Sequence, residues 1–247
     1  MILVHKISGV TIMISVSTAI EKIISGKKII ENNVGKSGDE VYKIENLKHN
    51  KNGYLKSEVE EKLFGINHEY EVYKFLSGKI KVPELYYYEY PYLITSEIEG
   101  ICSFYVKEEE RLQTMRIIAR ALKELHSVDI KDCNLYSDLE WNIKNKVFSE
   151  EQLYNKPVDD YVFVHGDACL PNMIIHKGQF SGFIDMGAAG VGSRYEDLAY
   201  CTWSTLYNFK DIKYVDEFFK EYGEEYYDRD KLNFYIELLG PSSIMFV

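Results

Sequence analysis

The sequence predicts an α+β fold in two lobes, a small one built on an antiparallel sheet and a larger, mainly helical one. The first third alternates β-rich runs with turn residues: Ile29–Val34, Glu40–Ile44, Gly53–Ser57, then Tyr86–Tyr90 and Tyr92–Thr95 split by Pro91. From Glu108 to Ser127 the pattern changes to an amphipathic helix, with Leu112, Met115, Ile118, Ala119, Leu122 and Leu125 at helical spacing. A hairpin follows in the second part: strand Met173–His176, turn Lys177–Gly178–Gln179, strand Phe180–Ile184. A chain of 247 residues, 46% hydrophobic and 28% charged, supplies one large core or two smaller ones.

Asn172 and Asp185 flank that hairpin. A turn centred on Gly178–Gln179 sets them opposite each other at its open end, where an amide and a carboxylate can share one Mg²⁺. That ion wants hard oxygen ligands and takes only a few from protein. Asp167 adds a third oxygen-bearing group on the loop leading in. The spacing His165-x-Asp167-x₄-Asn172 is that of a kinase catalytic loop, whose Asp accepts the substrate hydroxyl proton and whose Asn holds Mg²⁺. Ile184–Asp185–Met186–Gly187 stands where the next metal carboxylate belongs. Gly166 replaces the kinase Arg, and Met186 replaces the Phe after the metal-binding Asp. His165 reads as a loop support and Cys169 as a small filler.

HGD-x₄-N followed by IDxG resembles the small-molecule kinases of the aminoglycoside phosphotransferase and choline kinase superfamily. The version HGDACLPN…GFIDMGAAGVGSRYEDLA is especially similar to aminoglycoside 3'-phosphotransferases. The resemblance runs roughly from Met13 to Leu239 and is densest from Val162 to Tyr200. It implies a protein-kinase-like fold, with a nucleotide-binding lobe over 1–95, a catalytic and substrate lobe over 96–247, and ATP between them. It implies transfer of the γ-phosphoryl group of ATP, or GTP, to a hydroxyl of an aminoglycoside antibiotic, conferring resistance. Asp167 is then the catalytic residue, and Asn172 and Asp185 are the Mg²⁺ ligands. Other acceptors in the superfamily are choline, amino alcohols, sugars and macrolides. A nucleotide-binding protein without transferase activity is the reading of a different class.

The nucleotide residues are sought in chain order. Ser17 or Thr18 caps a short helix, Ala19–Ile24, that ends at Gly26. Strand, Gly35–Lys36–Ser37–Gly38 and strand make the shape of a phosphate-covering loop, although an ordinary hairpin has the same pattern. Ser37 and Gly38 would sit nearest the phosphates. Lys56, on the next strand, is the candidate for the lysine that holds the α- and β-phosphates. Tyr54 alternates onto the same face and packs near the base. The carboxylate partner of Lys56 belongs on the helix Asn67–Leu76. Similarity around LSGKIKVPEL places Glu69 there, with Glu71, Glu60 and Glu61 as rivals. Ser96–Gly100 is similar to the family's hinge, which binds adenine through its backbone; Ser96 and Ile98 are the expected contacts.

The net charge of −10 and the lack of a basic patch argue against nucleic acid. They suit a small cationic substrate, and no protein partner is implied. Cys102, Cys133, Cys169 and Cys201 form no CxxC or zinc spacing, the usage of reduced, cytoplasmic thiols. Met1–Ile14 is too short and polar to span a membrane and lacks a convincing cleavage site; Met13 is an alternative start. The chain also departs from the family. Only residues 140–161 separate Leu139 from Val162, where the phosphotransferases carry acidic substrate contacts. Glu140, Glu150, Glu151, Asp159 and Asp160 are partial substitutes. Ala188–Ala189 stand where Arg is common, and the tail Gly240–Val247 is apolar where the family ends in an acidic cluster. His126 and Asp197 read as structural. Helices are expected near Trp141–Phe148, Val215–Tyr222 and Lys231–Leu239.

Overall fold

The computed structural model describes residues 2–7, 10–32, 39–158 and 160–239. Ser37, Gly38, Asp159 and the tail 240–247 lie outside them. The chain divides into two units, Met1–Tyr70 with Pro83–Glu97, and Glu71–Val82 with Ile98–Val247.

The first unit opens with an antiparallel pair, β1 (Ile2–Ile7) and β2 (Val10–Ser15). Helix α1 (Thr18–Ile24) is capped by Ser17, whose Oγ accepts the Ile20 N–H at 3.4 Å. Five strands follow: β3 (Ile29–Glu31), β4 (Glu40–Lys48), β5 (Lys51–Ser57), β6 (Leu85–Glu89) and β7 (Tyr92–Ser96). They form one antiparallel sheet in the order β3-β4-β5-β7-β6. Alternation decides its faces. Gly53, Leu55 and Ser57 of β5 are buried, while Tyr54 and Lys56 are half-buried on the opposite face. Ile20 and Ile24 of α1 join Ile29, Ile44, Leu55 and Ile94 in one core. Seven residues are too few for a stable isolated helix, so this burial holds α1 in place. Helix α2 (Ile66–Leu76) is started by the buried Glu58, which accepts the Lys62 and Ile66 N–H groups at 2.6 Å. Its first turn belongs to this unit and its last to the second.

The second unit contains β8 (Ile101–Cys102), β9 (Tyr161–Val164), β10 (Met173–His176), β11 (Gln179–Phe183) and β12 (Gly190–Ser193). They form a three-stranded sheet, β11-β10-β8, and a pair, β12-β9. The helices are α3 (Arg111–Leu125), α4 (Asp138–Lys144), α5 (Glu150–Leu153), α6 (Arg194–Phe209), α7 (Lys213–Tyr222) and α8 (Arg229–Leu239). On α3 the expected stripe is buried from Met115 to Leu125; Leu112, in the first turn, stays 39% exposed because the core does not cover that end. The helix expected near Trp141–Phe148 starts earlier, because Ser137 caps it by accepting the Glu140 N–H at 3.1 Å. Helix α3 packs on α7, and α6 on α8. Among the described residues no helix is long and apolar enough to cross a membrane.

Candidate active site

The hairpin turns on Lys177–Gly178, both at positive φ (49° and 71°), as a tight two-residue turn requires. This is one position earlier than expected. A bulge then leaves Ser181 unpaired, since Ile174 faces Gly182 and Ile175 faces Phe180. The bulge restores only part of the shift. Asn172 therefore faces Ile184, whose N–H donates to its carbonyl at 3.0 Å. Asp185 lies one residue further on, at φ 57°.

The loop before the hairpin is closely tied together. Asn172 Nδ2 donates to the Asp167 carbonyl at 3.0 Å and to Asp167 Oδ2 at 2.9 Å. Both partners only accept, so the amide nitrogen faces Asp167 and Asn172 Oδ1 points away from it. His165 is buried. Its Nδ1 accepts the Asp167 N–H at 3.3 Å, so Nε2 carries the ring proton and donates to the Ile184 carbonyl at 3.0 Å. One imidazole thus fixes Asp167 and the peptide just before Asp185. Gly166 has φ 77°, and a Cβ there would collide with the Ala188 carbonyl; the kinase Arg has no room. Burial first, then the Asp167 charge, pushes the Cys169 thiol far up, which leaves it a neutral filler.

Helix α6 supports this loop. Asp197 is fully buried in its first turn and accepts from His165 N–H (2.8 Å), Gly166 N–H (2.9 Å) and His126 Nε2 (2.9 Å). His126 Nδ1 meets the Tyr222 hydroxyl at 2.6 Å, and Arg194 donates to that hydroxyl at 2.6 Å. Arg only donates and a carboxylate only accepts, so the chain has one polarity: Arg194 to Tyr222 to His126 to Asp197. Arg194 also grips Asp160 through Nε at 3.1 Å.

Glu196 is buried beside Asp197. Its Oε1 accepts from Ser137 Oγ (3.0 Å) and the Ser193 N–H (3.2 Å), while Oε2 has no partner among the described residues. Burial, opposed in part by the Ser137 bond and reinforced by the Asp197 and Glu140 charges, pushes this carboxyl well above its ordinary range. A raised carboxyl keeps its proton in the folded state after the unfolded chain has lost it near pH ~4.3, so Glu196 withdraws stability as pH rises from there. Glu196→Gln should melt like the wild type near pH 4 and above it at pH 7. A variant no more stable at pH 7 would contradict this.

In the first unit, Lys56 Nζ meets Glu69 Oε2 at 2.9 Å, and Glu69 is 3% exposed. The rival Glu71 pairs with Lys74 at the surface, and Glu60 and Glu61 are exposed. The Tyr54 hydroxyl turns to Glu97, which also takes Lys43 Nζ at 2.6 Å and Asn52 Nδ2 at 2.7 Å. Burial alone would lift the Glu97 carboxyl, but Lys43, Asn52 and Tyr54 together hold it below the usual range. Sequence reasoning missed this cluster; Lys43 and Tyr54 become neighbours only through the β4–β5 register. Ser96 N–H donates to the Glu84 carbonyl and Glu97 N–H to that of Asn52, whereas the Ile98 N–H makes no hydrogen bond among the described residues. A cavity of about 540 Å³ in the second unit is lined by Phe75, Lys79, Glu124 and Asp132, and by none of the expected site residues.

No group of three His, Cys, Asp or Glu among the described residues is arranged to hold a metal. Mg²⁺ asks for less. Asn172 Oδ1 and the exposed Asp185 carboxylate are hard oxygens at the mouth of one hairpin, and water and phosphate supply the rest. The donor set fits that ion.

A sheet-based unit with a Lys–Glu pair, followed by a helical unit with this loop and hairpin, is the architecture of a kinase-like phosphotransferase. Solved structures share the fold. An aminoglycoside 3'-phosphotransferase of type VIII matches with a TM-score of 0.73 at 20% identity, over 89% of this chain and 95% of that one. An aminoglycoside phosphotransferase from Streptomyces rimosus, in complex with ADP and streptomycin, matches at 0.66 and 21%, over 83% and 92%. Residues 148–235 match the phosphotransferase enzyme family. An aminoglycoside 3'-phosphotransferase of Niallia circulans is 30% identical over 246 residues, 88% of this chain and 94% of its own. One of Enterococcus faecalis is 27% identical over 258 residues, 90% and 97%. The chain belongs to the aminoglycoside phosphotransferase family.

Proposed function

We propose that this chain transfers the γ-phosphoryl group of ATP to a hydroxyl of an aminoglycoside in the cytoplasm, and so confers resistance. The observation that carries this is the loop itself: the Asn172 amide locked to the Asp167 carboxylate at 2.9 Å, with His165 tying the loop to the peptide before Asp185. The names of the relatives, and the ADP and streptomycin bound to one structural neighbour, support the same reading.

Asp167 orients the acceptor hydroxyl and takes its proton. Asn172 Oδ1 and Asp185 hold Mg²⁺, which neutralises charge developing on the phosphoryl oxygens. Lys56, kept in place by Glu69, takes the α- and β-phosphates. Ser37 and Gly38 cover the phosphates, Tyr54 packs near the base, and the Ser96 carbonyl and Ile98 N–H read adenine. In this reading residues 1–95 bind the nucleotide and 96–247 carry the chemistry and the acceptor. Catalysis is then mostly positioning and charge neutralisation.

Lys56→Met should weaken Mg·ATP binding by about 10-fold or more, the loss of a charge-assisted contact to phosphate. Calorimetric titration measures it, and an unchanged affinity removes Lys56 from the site. The function itself is tested by nucleotide consumption with Mg·ATP and Mg·GTP against kanamycin-like and neomycin-like aminoglycosides, a macrolide and choline. Turnover with an aminoglycoside supports the proposal. Turnover with choline or the macrolide alone reassigns the acceptor, and nucleotide binding without turnover leaves a binding protein.

A further inference from the structure

Most of the carboxylates of the segment 140–161 are engaged or at the surface. Glu140 is buried and accepts from the Tyr161 hydroxyl at 3.1 Å. Asp160 is held by Arg194. Glu150 and Glu151 lie in the exposed first turn of α5. A different side chain faces the loop. On α6, positions 197, 200 and 204 form one stripe, three and then four residues apart. The two outer members both hold the loop: Asp197 takes the His165 and Gly166 N–H groups, and Ser204 Oγ takes the Leu170 N–H at 3.0 Å. Tyr200 lies between them, which puts its ring along the middle of the loop, at Asp167–Cys169.

The surroundings of the phenol agree with this placement. Burial first, then the nearby Asp167 charge, keeps its proton on. Tyr200 is half-buried, and among the described residues its hydroxyl has no hydrogen-bond partner. A neutral O–H donor on a half-buried ring, near the carboxylate assigned to the acceptor hydroxyl, is suited to a polyhydroxylated amine. We infer that Tyr200 is an acceptor-binding residue, whose hydroxyl hydrogen-bonds the aminoglycoside held at Asp167. The inference rests on the proposed function.

Tyr200→Phe keeps the ring and removes only the hydroxyl. Kanamycin binding is titrated calorimetrically to the protein loaded with Mg²⁺ and a non-hydrolysable ATP analogue, alongside steady-state kinetics. The Kd and KM for kanamycin should rise about 3- to 10-fold, the worth of one neutral hydrogen bond, with melting temperature and nucleotide affinity unchanged. Unchanged Kd and KM overturn the assignment, as does a rise matched by loss of thermal stability. If the wild type binds kanamycin without phosphorylating it, the proposed function fails, and the shift in Kd still decides for or against Tyr200. If the wild type does not bind it at all, both fall.

Discussion

Asp167→Asn should lower turnover by at least about 100-fold while leaving the fold and Mg·ATP affinity intact. The substitution is nearly isosteric. An Asn at this position still offers an amide oxygen to Asn172 Nδ2, which now bonds the Asp167 carboxylate at 2.9 Å. Its backbone carbonyl and N–H keep their bonds to Asn172 and His165. What is lost is the basic carboxylate, so the effect should fall on kcat rather than on nucleotide binding or melting temperature. Near-normal turnover in this variant would remove Asp167 from the chemistry and leave it a loop fastener.

Asp197→Ala should destabilise the protein and silence it together. Three donors converge on this buried carboxylate: the His165 and Gly166 N–H groups and His126 Nε2. Without it all three are left unpaired in the interior, at about 1–3 kcal/mol each. A loss of more than about 3 kcal/mol should lower the melting temperature by roughly 6–12 °C in a chain of this size. The activity loss follows, because those N–H groups set the backbone that presents Asp167. A variant with normal melting temperature and only a raised KM for the acceptor would show that Asp197 binds substrate instead.

The grouping of the loop residues was legible in the sequence because it is local. His165, Gly166, Asp167 and Asn172 lie within eight positions, and their spacing, with Asp185 a hairpin later, is what suggested their roles. The shared strand face of Lys56 and Tyr54 was legible through alternation. The hairpin register was not, because it depends on where the chain turns and on a bulge at Ser181, and neither changes the hydrophobic pattern. The support beneath the loop was legible only in outline. His126 and Asp197 read as structural, but the line through Tyr222 and Arg194 joins α3, α6 and α7, and such contacts leave no periodic trace. The Lys43–Asn52–Glu97 cluster was hidden for the same reason, as it needs the sheet order as well as the strands. Glu140 shows the opposite case, a carboxylate that looked available for a substrate until the fold buried it.

The central claim is that the Asp167–Asn172–Asp185 assembly moves a phosphoryl group onto an aminoglycoside hydroxyl. The most direct test is transfer of radiolabelled γ-phosphate from Mg·ATP to a kanamycin-like aminoglycoside, wild type against Asp167→Asn. Labelled aminoglycoside from the wild type, and at least about 100-fold less from the variant, is the predicted result. Equal labelling by the two proteins, or none from a wild type that still binds Mg·ATP, would contradict it.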